Sequence, residues 1–409
     1  MKCRHCGAEV ILTLIDLGSA PPSNAYLTKM TMRRPEKWFP LKVLVCESCW
    51  LVQAEAFSRA AELFNDEYAY FSAFSATWLA HAEHYVSAMV ERFGLSTDSH
   101  VVEVASNDGY LLQYVNQRGI PCLGIEPTAS TATAARLKGI ETLEEFFGVG
   151  LAKKLVDQGK QANLIVANNV LAHVPDINDF VRGCALLLKP QGVATFEFPH
   201  LMQLIEHKQF DTIYHEHFSY LSFSTVDQIF RANGLSLFDV EELGTHGGSL
   251  RVFAQRTNAG KHTVREKVTK LLDREAAAGM NKAGYYQGFQ EQADKVKNDF
   301  LAFLLEAKRQ GKAVAAYGAA AKGNTLLNYA GIRPDLLPYV VDKNPNKQGK
   351  YLPGSRIPIV AEAHLRDKRP GYVVILPWNL KTEIMEQLSY IRDWGGMFVI
   401  TVPELKIIT

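Results

Sequence analysis

Four of the six cysteines occur as two C-x-x-C pairs, Cys3/Cys6 and Cys46/Cys49. Each pair can present two thiolates to one cation, and two such turns complete the tetrahedral four-thiolate site that suits zinc. Because 39 residues separate the pairs, the intervening segment must fold to bring the turns together. Four thiolates leave no open coordination position, so the spacing predicts a structural zinc ion. Two independent redox or structural pairs are the alternative.

A second candidate site is the small-residue turn A-S-N-D-G at residues 105–109, between a strand pattern at 100–105 and a helical pattern at 110–118. Such a turn lets a ligand approach the backbone and the free N–H groups of the following helix. Glu126 ends the next strand, where a carboxylate can accept both hydroxyls of a ribose. The G-x-G-x-x-G of dinucleotide sites is absent, and Asp108 would repel a pyrophosphate. A cationic or zwitterionic ligand is favoured, and another nucleotide on a Rossmann-like domain is the alternative.

Two further segments fall where such a ligand would lie. Phe146 and Phe147 follow a short third strand near 140–142, where they would wall an adenine or simply fill the core. Asn168, Asn169 and His173 follow the fourth strand, at 164–167. The carboxyl ends of parallel strands meet at one sheet edge, so these polar groups are expected to face the ligand.

The segment 210–224 reads FDTIYHEHFSYLSFS and places Tyr214, His215, Glu216 and His217 in succession. A histidine titrates near neutral pH, and an adjacent carboxylate or phenol can orient it, so acid/base chemistry is the favoured interpretation. A metal site through His215 and His217, and a buried structural network, are the alternatives. If the segment is an extended strand, Glu216 points away from its two histidine neighbours. A further Gly-Gly turn with polar flanks, at 245–251, contains His246 and is a second pocket loop.

The βα alternation restarts after residue 312, with strand patterns at 313–317, 337–341, 372–376 and 397–402. The turn from Gly318 enters a helix that carries Lys322 and Thr325, and a helix N-terminus with a lysine suits a phosphate. A glycine required only for helix–strand packing is the alternative. Residues 260–310 are rich in charged residues and alanine and predict one or two long amphipathic connector helices.

These elements predict an α/β protein with two Rossmann-like modules behind a zinc module. The boundaries are 1–65 for the zinc-binding module, 66–258 for the central domain, and 259–409 for the connector helices and the C-terminal Rossmann-like domain. The formal net charge of +1 counts against nucleic-acid binding through bulk charge. Neither a bilayer-length apolar run nor a signal-peptide pattern is found in the sequence, so no membrane partner and a cytoplasmic location are expected.

The central turn and the acid of the second strand resemble class I S-adenosylmethionine-dependent methyltransferases. The full order of motifs is more specific: a double C-x-x-C, A-S-N-D-G, I-Y-x-E-H-F, H-G-G and Y-G-A-x-x-K. Together they resemble the sugar C-methyltransferases that act on nucleotide-linked 4-keto deoxysugars. The resemblance implies a class I methyltransferase core, S-adenosyl-L-methionine and structural Zn²⁺ as cofactors, a nucleotide-linked sugar as substrate, and a monomer or homodimer.

The resemblance also implies residue roles. The catalytic residues implied are His217, Tyr214, Glu216 and Tyr70, with Tyr68 as the competitor of Tyr70. The cofactor-binding residues predicted are Glu103, Ala105, Asn107, Gly109, Glu126, Pro127, Phe146, Phe147 and Asn168. The substrate-binding residues predicted are Asn169, His173, His246, Tyr317, Gly318, Lys322, Asn324, Asp342 and Trp378. The zinc ligands predicted are Cys3, Cys6, Cys46 and Cys49.

The mechanism implied is C3 deprotonation next to the 4-keto group, with His217 as general base and Tyr214 assisting. The resulting carbanion accepts the methyl group. An O- or N-methyltransferase acting on another small metabolite is the main alternative, and it needs no base for a C–H proton. A non-enzymatic zinc-bearing nucleotide-binding module and an RNA methyltransferase are two others.

Overall fold

The computed structural model describes residues 1–57, 72–74 and 76–409, and within them the strands form three sheets. The first sheet is antiparallel and has the order β1-β2-β3-β9. Its first three strands follow the N-terminus, and its fourth comes from the centre of the chain. The strands are β1 Leu12–Ala20, β2 Phe39–Val45, β3 Val52–Ala54 and β9 Ser219–Tyr220.

The second sheet has seven strands in the order β10-β11-β8-β7-β4-β5-β6. The five neighbouring strands β6, β5, β4, β7 and β8 pair in parallel. Strand β11 pairs with β8 and with β10 in antiparallel register. The chain runs from β4 to one side and later returns to its other side, which makes β4 the switch point where α/β sheets bind ligands. The strands are β4 Val101–Val104, β5 Cys122–Ile125, β6 Thr142–Leu143, β7 Ala162–Asn168, β8 Leu188–Pro199, β10 Leu235–Leu243 and β11 Ser249–Arg256.

Helices join these strands and cover the sheet, as a parallel sheet requires. They are α1 Ala76–Phe93, α2 Leu112–Asn116, α3 Ala129–Leu137, α4 Val149–Asp157, α5 Ile177–Leu187, α6 Leu201–Glu206 and α7 Phe223–Ala232. The predicted α/β class with a Rossmann-like core is confirmed.

The charged region 260–310 forms the two predicted helices, α8 Glu266–Ala278 and α9 Phe289–Arg309. One face of α9 is buried, and its apolar residues recur every three or four positions. This is the pattern of a helix that packs one stripe against a core and leaves its charged side in water. The buried residues of α9 are Phe289, Ala293, Val296, Phe300, Leu304 and Ala307.

The third sheet has the order β14-β13-β12-β15-β16-β17 and is parallel except for its last pair. Its strands are β12 Val314–Tyr317, β13 Val340–Val341, β14 Ile359–Val360, β15 Tyr372–Ile375, β16 Met397–Ile400 and β17 Lys406–Ile408. The helices of this part are α10 Ala321–Tyr329, α11 Ala363–Lys368 and α12 Lys381–Gln387. The strand predicted at 337–341 is reduced to its last two residues. None of the helices in the described part of the chain is long and apolar enough to cross a membrane.

Candidate active site

A cavity of about 680 Å³ lies at the carboxyl ends of β4, β5, β7 and β8 and is also lined by the loop after β12. This is the edge at which parallel α/β sheets bind ligands, and the volume falls within the range of about 300–1,000 Å³ typical of small-molecule sites. Many of the site residues predicted from the sequence line this cavity, although they lie far apart along the chain. They are Ala105, Asn107, Glu126, Pro127, Phe146, Phe147, Asn168, Asn169, His173, Tyr214, Glu216, His217, His246 and Lys322.

The turn after β4 is shaped by two non-glycine residues in the left-handed region, Ala105 (φ 58°) and Asn107 (φ 49°). The Asn107 backbone N–H donates to Glu126 Oε2 at 2.9 Å, and the Thr128 N–H donates to Oε1 at 2.9 Å. Burial raises the pKa of Glu126, while these N–H groups oppose the shift. Glu126 also lines the cavity, so its carboxylate lies where it can accept the hydroxyls of a ribose.

Asp108 behaves differently from the expectation that it would repel a pyrophosphate. Its carboxylate is buried and lies 3.2 Å from Lys138 Nζ, which also donates to the Asp108 carbonyl at 2.6 Å. Asp108 does not line the cavity. The ion pair neutralises its charge locally, so the ligand's charge must be selected by other groups.

Unpaired polar atoms lie on the wall at the end of β7. Asn168 Oδ1 and Asn169 Nδ2 are buried without a hydrogen-bond partner, and Asn169 has a left-handed backbone (φ 53°). Buried polar atoms in folded proteins are normally paired, so an acceptor and a donor on the cavity wall fit a ligand that carries both. The amino-acid part of S-adenosylmethionine carries an ammonium and a carboxylate, which are such groups. These residues therefore fit the predicted cofactor.

The two adjacent phenylalanines have different environments. Phe146 is 52% exposed, whereas Phe147 packs edge-on against Phe180 with ring centroids 5.5 Å apart. Both line the cavity. Phe146 is therefore the exposed ring, and Phe147 is partly packed; a wall for an adenine stays a prediction for either ring.

Two histidines of the cavity wall lie against each other. His217 Nδ1 lies 3.0 Å from the Thr212 carbonyl, and His173 Nδ1 lies 2.8 Å from the Glu216 carbonyl. A carbonyl only accepts, so Nδ1 carries the proton in each ring and Nε2 is the basic nitrogen of the neutral form. The ring centroid of His217 lies 4.6 Å from that of His173 and 4.0 Å from that of Tyr214.

The surroundings keep both rings neutral. Burial lowers the pKa of His173 to about 4. Burial also holds the pKa of His217 well below its ordinary value, and the neighbouring His173, His246 and Lys322 add to this shift, while the Thr212 carbonyl opposes it. A neutral imidazole is the form that can accept a proton.

The Tyr214–His217 segment is a turn rather than the extended strand considered from the sequence. The His217 N–H donates to the Tyr214 carbonyl at 2.9 Å, which brings Tyr214, Glu216 and His217 to the same cavity. His215 turns the other way, with Nε2 3.2 Å from the carbonyls of Phe39 and Pro40. The two histidines of the metal alternative therefore face different surroundings.

Glu216 is a buried carboxyl on this wall. Its Oε2 accepts from Asn24 Nδ2 at 2.7 Å, and burial raises its pKa to about 7. Asn24 itself lines the cavity and belongs to the N-terminal part of the chain. Sequence reasoning missed Asn24 because it lies in a P-S-N-A-Y loop without any recognisable pattern.

Two lysines approach the cavity from the C-terminal domain. Lys322 Nζ donates to Asn379 Oδ1 at 2.6 Å and lies 4.6 Å from the centroid of the Trp378 ring. Lys347 Nζ donates to the Ala319 carbonyl at 2.8 Å. Both lysines line the cavity beside the first turn of α10, so cations and helix N–H groups converge as they do at phosphate sites. The sequence missed Lys347, although it follows β13 at a carboxyl end where such residues are expected.

Seven predicted residues lie behind the wall instead of on it. Two of them contact a lysine of the cavity wall. The Trp378 ring centroid lies 4.6 Å from Lys322 Nζ, and Asp342 Oδ2 lies 3.9 Å from Lys347 Nζ. The seven are Glu103, Gly109, Tyr317, Gly318, Asn324, Asp342 and Trp378.

The glycines among these seven are explained by packing. Gly109 (φ +74°) leaves no room for a Cβ beside Ile140, and Gly318 (φ +90°) leaves none beside Pro377. The contacts that the sequence predicts for them with a ligand remain predictions. Tyr70 and its competitor Tyr68 lie outside the described residues. Trp78 and Thr212 also line the cavity and were missed by sequence reasoning.

The four predicted zinc ligands come together. Their Sγ atoms all lie within 4.8 Å of one another, with Cys3 3.5 Å from Cys49 and Cys6 3.6 Å from Cys46. These contacts join the two C-x-x-C pairs instead of closing each pair on itself. Four sulfurs at about 2.3 Å from one ion in a tetrahedron are about 3.8 Å apart, so the donor set fits one structural zinc ion.

Comparisons with known proteins match all three parts of the chain. Three family models match in succession: a zinc binding domain at residues 3–64, a methyltransferase domain at 78–240, and a C-methyltransferase C-terminal domain at 244–403. The C-methyltransferase NovU of Streptomyces niveus is 33% identical over 408 residues, covering 100% of this chain and 97% of that protein. A ubiquinone biosynthesis O-methyltransferase of Bordetella avium is 33% identical over 98 residues, covering 24% of this chain and 41% of that enzyme.

Solved structures give weaker similarities. The PH0226 protein of Pyrococcus horikoshii has a TM-score of 0.39 at 14% identity, covering 46% of this chain and 95% of that chain. The magnesium protoporphyrin IX methyltransferase of Synechocystis has a TM-score of 0.34 at 16% identity, covering 44% of this chain and 79% of that chain. The similarity to the Streptomyces protein, in contrast, extends over the zinc module, the central domain and the C-terminal domain.

Proposed function

This chain belongs to the S-adenosylmethionine-dependent C-methyltransferases, and we propose that it methylates C3 of a nucleotide-linked 4-keto deoxysugar. One observation carries the proposal. A single cavity is lined by the turn after β4, by the neutral His217 with its basic Nε2, and by two lysines beside a helix N-terminus. These three features match the three demands of the reaction: a cofactor pocket, a base for a C–H proton, and a site for an anionic substrate.

The residues that line the cavity suggest how the cofactor would be held. Glu126 would accept the ribose hydroxyls, and the backbone turn at Ala105 and Asn107 would contact the rest of the cofactor. Asn168 would pair with its amino-acid part, and Phe146 would cover the adenine. S-adenosylmethionine, when bound, supplies the electrophilic methyl group that the C3 carbanion takes.

The chain's own residues perform the proton transfer. The 4-keto group acidifies the hydrogen on C3, and His217 Nε2 accepts it while Nδ1 stays bonded to the Thr212 carbonyl. That hydrogen bond holds the ring and stabilises the imidazolium that forms. Tyr214, whose ring packs on His217, and the protonated form of Glu216 lie on the same wall as donors for the enolate oxygen.

An anionic substrate would also strengthen the base. Lys322 is one of the charges that lower the pKa of His217. A diphosphate bound between Lys322 and Lys347 offsets that positive charge and raises the pKa of His217. The base is therefore weakest in the empty enzyme and stronger when the nucleotide-linked substrate is in place.

The test is mass spectrometry of the protein with S-adenosylmethionine and a panel of nucleotide-linked 4-keto deoxysugars in deuterated water. The proposal expects one added methyl group and loss of the C3 hydrogen. Exchange of the C3 hydrogen for deuterium without methylation supports the substrate class and excludes the particular sugar. Methyl gain on oxygen or nitrogen, with C3 unchanged, would instead favour the O- or N-methyltransferase alternative.

A variant separates the base from the binding site. His217→Asn keeps a hydrogen-bond donor toward Thr212 but has no basic nitrogen, so we expect unchanged cofactor affinity and a loss of turnover of about 10²–10⁴-fold. His207→Asn is the matched control, because His207 is an exposed histidine outside the cavity. Full turnover by His217→Asn would remove His217 from the base role.

A further inference from the structure

The loop that follows β1 carries a side chain of the zinc module into the cavity. Asn24 lines the cavity and donates from Nδ2 to Glu216 Oε2 at 2.7 Å, across 192 positions of sequence. Its backbone N–H also faces the Glu216 carboxyl and favours the ionised form. Glu216 is 2% exposed, so the contacts that this carboxyl makes inside the protein determine its orientation and its proton affinity.

The same loop is fastened to the C-terminal domain. Tyr26 donates its hydroxyl proton to the Ala319 carbonyl at 2.6 Å, and Leu27 exchanges backbone hydrogen bonds with Tyr351 at 2.9 and 2.8 Å. Lys347 Nζ donates to the same Ala319 carbonyl at 2.8 Å and lies 5.3 Å from the centroid of the Tyr26 ring. One short loop thus contacts both the acid of the central domain and the lysine edge of the C-terminal domain.

We propose that Asn24 is a positioning residue of the active site, which holds the Glu216 carboxyl toward the cavity, and that Tyr26 ties it to the Ala319–Lys347 edge. The zinc module then contributes a residue to the active site in addition to its structural role. The inference rests on the proposed function, since it assigns Glu216 to the reaction and the lysine edge to the substrate's anionic group.

Other titratable groups lie near this carboxyl. His173 and His217 line the same cavity from the central domain, and Lys322 and Lys347 line it from the C-terminal domain. The Tyr26 phenol also interacts electrostatically with Glu216. The side-chain hydrogen bonds of Asn24 run to Glu216 and Tyr26 and to none of these histidines and lysines. We therefore expect an effect of Asn24 on Glu216 to be separable from the effects of the histidines and lysines.

The decisive measurement reads Glu216 directly. Infrared difference spectra, recorded against pH, follow the protonated carboxyl band that Glu216→Gln removes. Asn24→Ala loses a donor to the carboxylate, so we expect the midpoint of that titration to rise by about one pH unit, a tenfold gain in proton affinity. Asn178→Ala is the matched control: Asn178 holds His5 of the zinc module at 2.8 Å but lies off the cavity wall, and the midpoint should stay unchanged.

Turnover gives the second readout. We expect Asn24→Ala to lower kcat about tenfold, because Glu216 loses its orientation although more of it is protonated, with the affinity for S-adenosylmethionine unchanged. We expect Tyr26→Phe to raise the KM for the sugar substrate. The infrared result does not require catalysis, so it stands even if the wild-type protein methylates no ketosugar and the proposed function fails. An unshifted Glu216 midpoint in a folded Asn24→Ala protein, or an equal shift in Asn178→Ala, would overturn the positioning role.

Discussion

Replacing Gly247 with alanine should destabilise this protein by about 2–5 kcal/mol. Gly247 lies in the H-G-G loop with φ +89°, and a Cβ at this position would collide with the Trp378 ring and lie 2.8 Å from Gln209 Nε2. A left-handed backbone costs an alanine about 1–2 kcal/mol, and forcing a methyl group into a packed contact costs about 1–3 kcal/mol more. The sum is large for one methyl group.

The collision with Trp378 should also disturb residues that line the cavity. Trp378 donates to Asp211 and lies beneath the Lys322 ammonium, so a displaced Trp378 moves the predicted substrate cation. His246, one position before Gly247, lines the cavity in a left-handed backbone of its own (φ 54°). We therefore expect Gly247→Ala to raise the KM for the sugar substrate and to leave the affinity for S-adenosylmethionine unchanged.

The matched control lies in the same loop. Gly244 has φ −77° and ψ −4°, and nothing lies within 4 Å of a Cβ built there. Gly244→Ala should change the free energy of unfolding by less than about 0.5 kcal/mol. Guanidinium unfolding followed by tryptophan fluorescence gives the midpoint and slope of each variant. Equal unfolding curves for the two alanine variants would refute the reasoning, because they would show that Trp378 yields without cost.

Three further predictions follow from the same structure. Cys46→Ser should abolish the binding of one zinc ion per chain, measured by mass spectrometry of the metal, whereas Cys122→Ser should retain it, and equal zinc content would contradict a four-thiolate site. Glu126→Ala should weaken S-adenosylmethionine binding about 10–100-fold in calorimetry, with the exposed Glu141→Ala as control. Burial raises the pKa of Glu216 to about 7, so wild type loses stability as pH rises from about 4.5 through 7. Glu216→Gln should therefore be more stable than wild type by about 3 kcal/mol at pH 8 and equal to it near pH 4, and a constant difference at every pH would contradict the shifted pKa.

The parts of the site that the sequence predicts are those that depend on local pattern. A buried strand followed by a small-residue turn places Ala105 and Asn107 at the carboxyl end of β4, and the next strand places Glu126 beside them. The two C-x-x-C pairs predict that their four thiolates come together, because four thiolates suit one zinc ion. The positions of residues at strand ends, and of residues that share one metal ion, can be predicted without knowing which distant segments are in contact.

The rest of the site depends on contacts that a single sequence does not display. The pairing of Lys138 with Asp108 cancels the expected repulsion of a pyrophosphate, since the charge of the acid is already compensated. The Y-H-E-H segment fits an extended strand by its spacing, yet one backbone bond from His217 to Tyr214 makes it a turn and changes which side chains share a wall. Asn24 reaches Glu216 because the N-terminal part of the chain packs against the central domain, a contact across 192 positions of sequence.

The position of the proposed base, His217, is fixed by contacts from more than one domain. The segment around His217 is held by the zinc module, through Arg4 Nη1 on the Phe218 carbonyl at 3.2 Å and the pairing of β9 with β3. It is held from the other side by the C-terminal domain, where the Thr325 hydroxyl donates to the Ile213 carbonyl at 2.8 Å. A general base contributes to rate only within hydrogen-bond reach of its proton, so loss of either clamp removes catalysis before it removes cofactor binding.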